Sequence, residues 1–449
     1  MDTPLVDFAR AYAGSGGVRL HMPGHKGRPF LGPEALDLTE IPGADVLYHE
    51  EGILARSEEN AARLFGSALT LYSAEGSSLC VKAMLFLALQ HARLTGKRPL
   101  IAAGRNAHRS FLAGAGLLGL DLCWLWGEPG EFPLSCTVEP AALERVLAEE
   151  KPAAVYLTSP DYLGKRAALP ALAALCRAHG ALLLVDNAHG AYLKFLAPSL
   201  HPLDLGADVC CDSAHKTLPV LTGGAYLHLS EACPAALRPP ARQAMRLFAG
   251  TSPSYLVLES LDLCNALLAG EYPARIRAAA ARLDALKATL AAAGWTLAGD
   301  EPLKLTLRLK GRGYTGAALA AALAEDGVVC EFADDGHLVL MFSAENGEAD
   351  FARTERALLK LPPRAPIPEE AAPPFRPERV LPPREALLAP FETLPTERCL
   401  GRVLAAPTVS CPPAVPILVC GERIDETALA LLRRYGQESC DVIMEEDSL

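Results

Sequence analysis

Between residues 57 and 235 the chain follows a rhythm that leaves few folds open to it. Short, largely apolar runs recur at 99–103, 122–126, 153–158, 181–185, 208–211 and 224–229. Between most of them lie alanine- and leucine-rich stretches at helical spacing, such as 79–93 and 168–178. A strand that is apolar on both faces belongs inside a covered sheet, and helices between strands make that sheet parallel. The expected fold class is therefore α/β, with a large domain built on a mostly parallel sheet.

The remainder reads differently. Residues 255–268 and 274–292 are helical in pattern, and Gly294 is a stop signal. Residues 303–310, LKLTLRLK, alternate strictly, which predicts an antiparallel strand with one face in water. A helix at 315–325 and strands at 328–332 and 337–342 complete a smaller α+β domain. Residues 361–390 are proline-dense and read as a linker or a wrapping arm. The expected order is an N-terminal arm (1–56), a large α/β domain (57–262), a small α+β domain (263–360), the linker (361–390) and a short C-terminal module (391–449).

Several function classes are disfavoured. A net charge of −11 provides no basic field for non-specific nucleic-acid binding. The 13 cysteines are an odd number and contain no C-x-x-C pair, so neither a disulfide framework nor a zinc site is expected. The N-terminus has no basic and apolar leader pattern, and no run of about 18 apolar residues is present. A cytoplasmic protein with reduced thiols, bound to neither nucleic acid nor membrane, is expected.

One motif has to be weighed. Gly311-Arg-Gly313-Tyr-Thr-Gly316 is a literal G-x-G-x-x-G, with Glu331 twenty residues beyond its first glycine. A dinucleotide-binding unit would need a doubly buried strand before it, and LKLTLRLK carries Lys304, Arg308 and Lys310. A tight strand-to-helix turn is the expectation instead.

Four other stretches carry polar groups at predicted strand ends, where ligands of open α/β sheets bind. Glu75-Gly76-Ser77-Ser78 opens an amphipathic helix. Backbone amides and the dipole there favour an anion, although a serine is also an ordinary cap. Asp186 ends the apolar run ALLLVD, with His189 three residues on. The third stretch is LTSPDYLG, residues 157–164. The fourth is DSAHKTLP, residues 212–219, in which Lys216 follows the next apolar run. It is either a solvated turn lysine or, if withdrawn from water, a nucleophile.

An anion cup, a strand-end aspartate and a strand-end lysine together describe a pyridoxal 5′-phosphate (PLP) site. That cofactor needs an amine for its aldehyde and an acid to keep its ring nitrogen protonated. The ordered motifs also resemble the Orn/Lys/Arg decarboxylase family of fold-type I PLP enzymes, in its short bacterial arginine-decarboxylase-like form. The motifs are HMPGHKG (21–27), EIPGADVLYHEEG (40–52), EGSS (75–78), RNAHRS (105–110), SPDYLG (159–164), VDNAHGAY (185–192), DSAHKTLPVLTGGAYLH (212–228), GTSPSY (250–255) and CPPAVPILVCGE (411–422).

The resemblance implies an aspartate-aminotransferase-like large domain. It makes Lys216 the Schiff-base lysine and His215 its active-site neighbour. Asp186 pairs with the pyridinium, His189 holds that aspartate and His108 stacks on the ring. Gly76, Ser77, Ser78 and Ser213 bind the phosphate. Ser252 approaches it from a second subunit, so a homodimer with a shared site is implied, in preference to larger assemblies. The implied reaction is decarboxylation of a basic amino acid, arginine first and then lysine or ornithine, to an amine of polyamine biosynthesis. Asp45, Glu50, Glu51 and Asp161 are candidates for the substrate's distal cation.

The chain departs from the family pattern at Val46, Tyr48, Arg109, Asn187, Tyr192, Cys411 and Ala414. None of these is the imine lysine or the pyridinium aspartate. A PLP aminotransferase or another PLP lyase, and a catalytically decayed paralogue, are the alternatives.

Overall fold

The computed structural model describes every residue except 50, 129, 132, 369–374, 408–413 and 446–449. Among the described residues the strands are β1 (Leu69–Ser73), β2 (Leu100–Gly104), β3 (Asp121–Leu125), β4 (Ala154–Thr158), β5 (Leu182–Asp186), β6 (Val209–Asp212), β7 (Ala225–Leu229), β8 (Thr296–Ala298), β9 (Lys304–Arg308), β10 (Phe332–Ala333), β11 (His337–Met341), β12 (Phe391–Pro395) and β13 (Ser439–Ile443). The chain divides into two compact units, and β4 is split between them.

The first unit comprises residues 1–97, 153–155 and 169–277. β5, β6 and β7 are buried along their whole length. β6 pairs parallel with β5 and antiparallel with β7, and β7 pairs antiparallel with β1. Strand side chains alternate between faces, so the register decides which groups meet. Asp186 stands level with Cys211, and Cys210 stands opposite His228. One face of β6 therefore belongs to Asp186, and the other to Cys210 and Asp212.

Three helices, α1 (Pro4–Gly14), α2 (Gly52–Phe65) and α3 (Ser77–Thr95), lie in this unit. Asp262 ties the elements together. Its carboxylate accepts from the amides of Leu5 and Val6 and from Ser57 Oγ, at 3.0, 3.2 and 2.5 Å.

The second unit comprises residues 98–152, 156–168 and 278–449. β2 and β3 pair in parallel. β10, β11, β9 and β8 form a small sheet, antiparallel throughout. Its core gathers Leu305, Leu307, Leu338 and Leu340 with Phe351.

The expectation of a half-exposed strand at 303–310 is corrected here. Lys304 and Lys310 are buried, and only Arg308 reaches water. The second face of this sheet is also covered: Val339 packs with Leu134 and Leu163, and Thr306 Oγ1 donates to Leu163 O at 2.8 Å. The buried ammonium groups are neutralised where they lie. Lys304 meets Glu301 at 2.8 Å, and Lys310 meets Asp335 at 2.6 Å.

The G-x-G-x-x-G segment forms the turn out of this strand. Gly313 has φ +78°, and a Cβ on Gly316 would stand 2.0 Å from Asp334 O. β9 is antiparallel to both its neighbours, whereas a dinucleotide-binding unit needs a parallel strand. Glu331 is also committed, accepting from Tyr162 Oη at 2.9 Å.

The C-terminal residues build a two-stranded sheet, β12 with β13, over the helix Glu426–Arg434. Arg105, just past β2, pins this module. Its buried guanidinium donates to Pro416 O, Ile417 O and Glu422 Oε2 at 3.2, 2.8 and 3.0 Å.

Candidate active site

β1 ends at Ser73, and the chain turns sharply into α3. Gly76 makes the turn with φ +72° and ψ 178°, a backbone region that only glycine occupies readily. Its N–H donates to Gly223 O at 2.7 Å. Gly223 is itself fixed by close approach, since a Cβ there would stand 2.8 Å from Ala74 O. Ser73 Oγ donates to Gly76 O at 2.9 Å and accepts from the Glu75 amide at 3.1 Å. α3 thus starts with half-buried Ser77 and Ser78, and no side chain of Gly76 caps its first amides. Such a helix start attracts an anion.

β6 delivers the next groups to the same place. Ser213 Oγ donates to Ser77 Oγ at 2.7 Å, joining the end of β6 to the start of α3. A one-turn helix, Ala214–Thr217, follows. It carries His215 and Lys216. His215 Nδ1 is 3.1 Å from Gly224 O, a contact that requires Nδ1 to hold the proton and leaves Nε2 as the accepting nitrogen. Burial pushes the His215 imidazole below its ordinary range.

Lys216 is exposed, and its Nζ is 3.0 Å from His189 Nε2. Asp186, at the end of β5, is 3 % exposed. Its Oδ1 accepts from the Ala188 amide at 3.2 Å and from Cys211 Sγ at 3.7 Å. Burial, reinforced by the charge of Asp186, pushes the Cys211 thiol well up, so it stays a protonated donor.

Within the first unit the structure therefore joins Ser77 to Ser213 and Lys216 to His189, and it buries Asp186. Two other expected residues have these settings. Ser252 is exposed. His108 belongs to the second unit, where it caps α4 (Arg109–Leu118), with Nδ1 3.2 Å from the Ser110 amide.

Two of the four candidates for a distal cation are held locally. Asp45 accepts from the amides of Val46 and Leu54 at 2.8 and 3.1 Å. Asp161, in the second unit, accepts from Ser135 Oγ and from the Lys165 amide, the latter at 2.8 Å. Burial, opposed by the Ser135 hydrogen bond, pushes its carboxyl up to about 6. Glu51 is exposed, while Glu50 and Cys411 lie outside the described residues. Ala414, buried with φ 56°, accepts from the Arg109 amide at 3.0 Å.

The sequence reading missed two contributors. Cys211 faces Asp186 because it is level with it across the ladder. Asn187 points the other way, and its Nδ2 donates to Asp212 Oδ1 at 2.7 Å. Both follow from side-chain alternation once β5 and β6 are known to be neighbours.

An uncapped helix start, two hydroxyls in contact, a buried carboxylate and an amine beside an imidazole suit one phosphorylated, electrophilic, basic ring. The comparisons with known proteins agree. The profile described as "Orn/Lys/Arg decarboxylase, major domain" matches residues 3–279. A protein named "Arginine decarboxylase" from Halalkalibacterium halodurans is 29% identical, over 99% of this chain and 96% of its own. Another of that name from Bacillus subtilis is 26% identical, over 100% of this chain and 96% of its own. A further Bacillus subtilis relative, 29% identical over 97% of this chain and 94% of its own, is called "Uncharacterized protein YaaO".

In fold, the chain is similar to the constitutive lysine decarboxylase of E. coli. The TM-score is 0.78 at 18% identity, over 98% of this chain and 81% of that one. It is also similar to the serine palmitoyltransferase of Sphingomonas wittichii, with a TM-score of 0.56 at 16% identity, over 80% of this chain and 83% of that one. The fold is thus the α/β fold of type I PLP enzymes, with a mostly parallel large sheet. Since the matched profile spans more than half of the sequence, the chain belongs to the Orn/Lys/Arg decarboxylase family of enzymes.

Proposed function

We propose that this enzyme decarboxylates a basic amino acid, arginine before lysine or ornithine, with PLP held in the first unit. The observations that carry the reading are the pairing of Ser77 with Ser213 and of Lys216 with His189, at the ends of the strands β5 and β6, where Asp186 is buried. Arginine comes first because the full-length relatives that carry a functional name are called arginine decarboxylases.

When bound, the cofactor supplies an aldehyde for amines and a protonated ring that accepts the electron pair released as carbon dioxide leaves. The rest falls to the chain. The α3 amides, Gly76, Ser77, Ser78 and Ser213 bind the phosphate. Asp186, unable to reach water, keeps a proton on the ring nitrogen by its charge. Cys211 and the Ala188 amide orient that carboxylate, and by the resemblance His189 is assigned to hold it. Lys216 would be the residue that holds the cofactor through its amine. Its exposed amine can pass a proton to or from His189. His215, with its Nδ1 proton engaged by Gly224, can relay a proton through Nε2 to the substrate carbon. By the resemblance alone, His108 is assigned to the ring face and Ser252 to a partner's phosphate.

A homodimer belongs to this reading. Val18, Leu20, Met22, Phe30 and Leu31 are each at least 68% exposed in the N-terminal arm, a density of apolar side chains that suits a second copy. The 12 cysteines among the described residues are all free. No described helix is long and apolar enough to cross a membrane.

The test is incubation of the PLP-reconstituted protein with arginine, lysine and ornithine, reading products by mass spectrometry. Agmatine is expected. Keto acids in its place would make the protein an aminotransferase, and no product from any amino acid would make it a decayed relative.

A further inference from the structure

On the face of β6 turned away from Asp186, buried polar groups join the two strands that carry the site. Asn187 directly follows Asp186 at the end of β5, and Asp212 directly precedes Ser213 at the end of β6. Asn187 Nδ2 donates to Asp212 Oδ1 at 2.7 Å. An ionised carboxylate only accepts, so the amide nitrogen has to face it. The Asn187 N–H donates to Cys211 O at 2.9 Å, so a backbone bond and a side-chain bond fasten the same residue to β6.

Asp212 is itself held firmly. Its Oδ2 accepts from His201 Nε2 at 3.0 Å. His201 Nδ1 accepts from the Leu203 amide at 3.4 Å, which leaves the ring proton on Nε2. His228 Nε2 stands 3.3 Å from the same carboxylate oxygen. Burial opposes ionisation, but His201 and His228 outweigh it and hold the Asp212 carboxyl well below the usual carboxylate range. Asn187, His201, Asp212 and His228 are all 0 % exposed, so bulk water does not compete for these bonds. Asn187 is also closely fitted: a Cβ on Gly190 would stand 2.0 Å from Asn187 Oδ1. The Gly190 N–H donates to Asn187 O at 2.8 Å and closes a turn, 187–190, that carries His189 to its contact with Lys216.

We propose that Asn187 and Asp212 are positioning residues, a clamp behind the sheet that sets the spacing between Asp186 and His189 at the end of β5 and Ser213 and Lys216 at the end of β6. The bond between them spans the two strands one residue away from each of these groups. An amide suits position 187 because it donates without adding charge; a carboxylate there would face ionised Asp212 and have to keep its proton. A ligand gripped from both strands depends on their spacing, since a shift of about 1 Å can cost about 10²-fold in a positioned site. A ligand gripped from one strand does not. The inference rests on the cofactor reading, because PLP is the ligand that would reach both.

The experiment titrates full-length wild type and Asn187→Leu, both freed of cofactor, with PLP by fluorescence and with inorganic phosphate by calorimetry. Inorganic phosphate uses the start of α3 and Ser213, whereas PLP reaches β5 as well. PLP affinity is expected to fall by about tenfold or more in the variant, while phosphate affinity stays within about twofold. Unchanged PLP affinity overturns the clamp. So does an equal loss for both ligands, which is the mark of general damage to the unit. If Asn187→Leu does not fold, Asn187→Ala, whose cavity admits water to serve Asp212, takes its place with the same two readings. A wild type that binds phosphate but not PLP overturns the cofactor reading and the clamp with it, whereas equal PLP binding by wild type and variant overturns the clamp alone.

Discussion

Two lysines in this molecule show opposite solutions to one electrostatic problem. Lys216 follows a doubly buried strand, yet its ammonium reaches water and touches an imidazole. Lys304 sits on a strand whose alternation promises water, yet it is buried against Glu301. The buried lysine is the strut and the exposed one is placed to react. A charge locked to its counter-charge at 2.8 Å cannot be exchanged for a bond to substrate without leaving a bare carboxylate. Burial alone is therefore a poor guide to which lysine is chemical; the partner decides. A neutral nitrogen at 3.0 Å, such as that of His189, can take the proton that makes the amine a nucleophile.

Exchanging the fates of the two lysines is the sharpest way to break this comparison. Lys216→Ala is expected to reduce decarboxylation to background and to abolish the borohydride-stable cofactor adduct, with an unchanged melting temperature. Lys304→Met is expected to keep the adduct but to destabilise the protein by about 3–5 kcal/mol, because the buried Glu301 loses the counter-charge of Lys304. Peptide mapping after borohydride reduction, with thermal unfolding, reads both. An adduct at position 304, or one surviving in Lys216→Ala, would reverse the assignment. Asp186→Asn retains shape and loses charge. Its expected loss in kcat is on the order of 10²–10⁴-fold, with cofactor still bound.

Why one lysine was legible in the sequence and the other was not follows from what each depends on. Lys216 lies in a local pattern, an apolar run and then DSAHKT, and β6 ends one residue from where that run predicts. The runs at 181–185 and 224–229 likewise appear as β5 and β7. Lys304 depends on a partner three residues back and on a distant loop, 161–164, that covers the second face of its sheet. No periodicity reports that covering. β1 was missed for a related reason: Leu69–Ser73 holds only two strongly apolar residues and takes its place from pairing with β7. At the site, Asp186 and the start of α3 were readable as strand-end and helix-start signals. The contacts of Cys211 and Asn187 needed the register of β5 against β6. That Asp45 and Asp161 accept from local amides was not readable, because a carboxylate that caps local amides has the same one-letter code as one that awaits a ligand.

The polar edge of the site provides a gentler test. Ser77 and Ser213 touch each other and both face the start of α3. A hydrogen bond to a charged group contributes about 1.5–3 kcal/mol, so Ser77→Ala is expected to weaken PLP binding by roughly 10–100-fold with little change in melting temperature of the apoprotein. Fluorescence titration of the apoprotein measures it. Unchanged affinity would move the phosphate away from α3.

Glu58 extends the comparison to a buried charge of the strut kind in the first unit. It is 2 % exposed, meets Arg242 at 3.0 Å and accepts from the Tyr72 amide. Burial raises its carboxyl to about 7 despite the opposing Arg242. An acid whose folded pKa is raised contributes stability below its unfolded value, near 4.5, and loses that contribution as pH climbs through 7. Glu58→Gln fixes the neutral form. Its melting temperature relative to wild type is therefore expected to rise between pH 5 and pH 8, by an amount equivalent to about 1–3 kcal/mol. Because Arg242 is not fully enclosed, water can still serve its guanidinium in the variant, which keeps the sign of the effect positive. A flat difference across that range would mean that Arg242 holds Glu58 ionised throughout, making this pair as rigidly charged as Lys304 with Glu301.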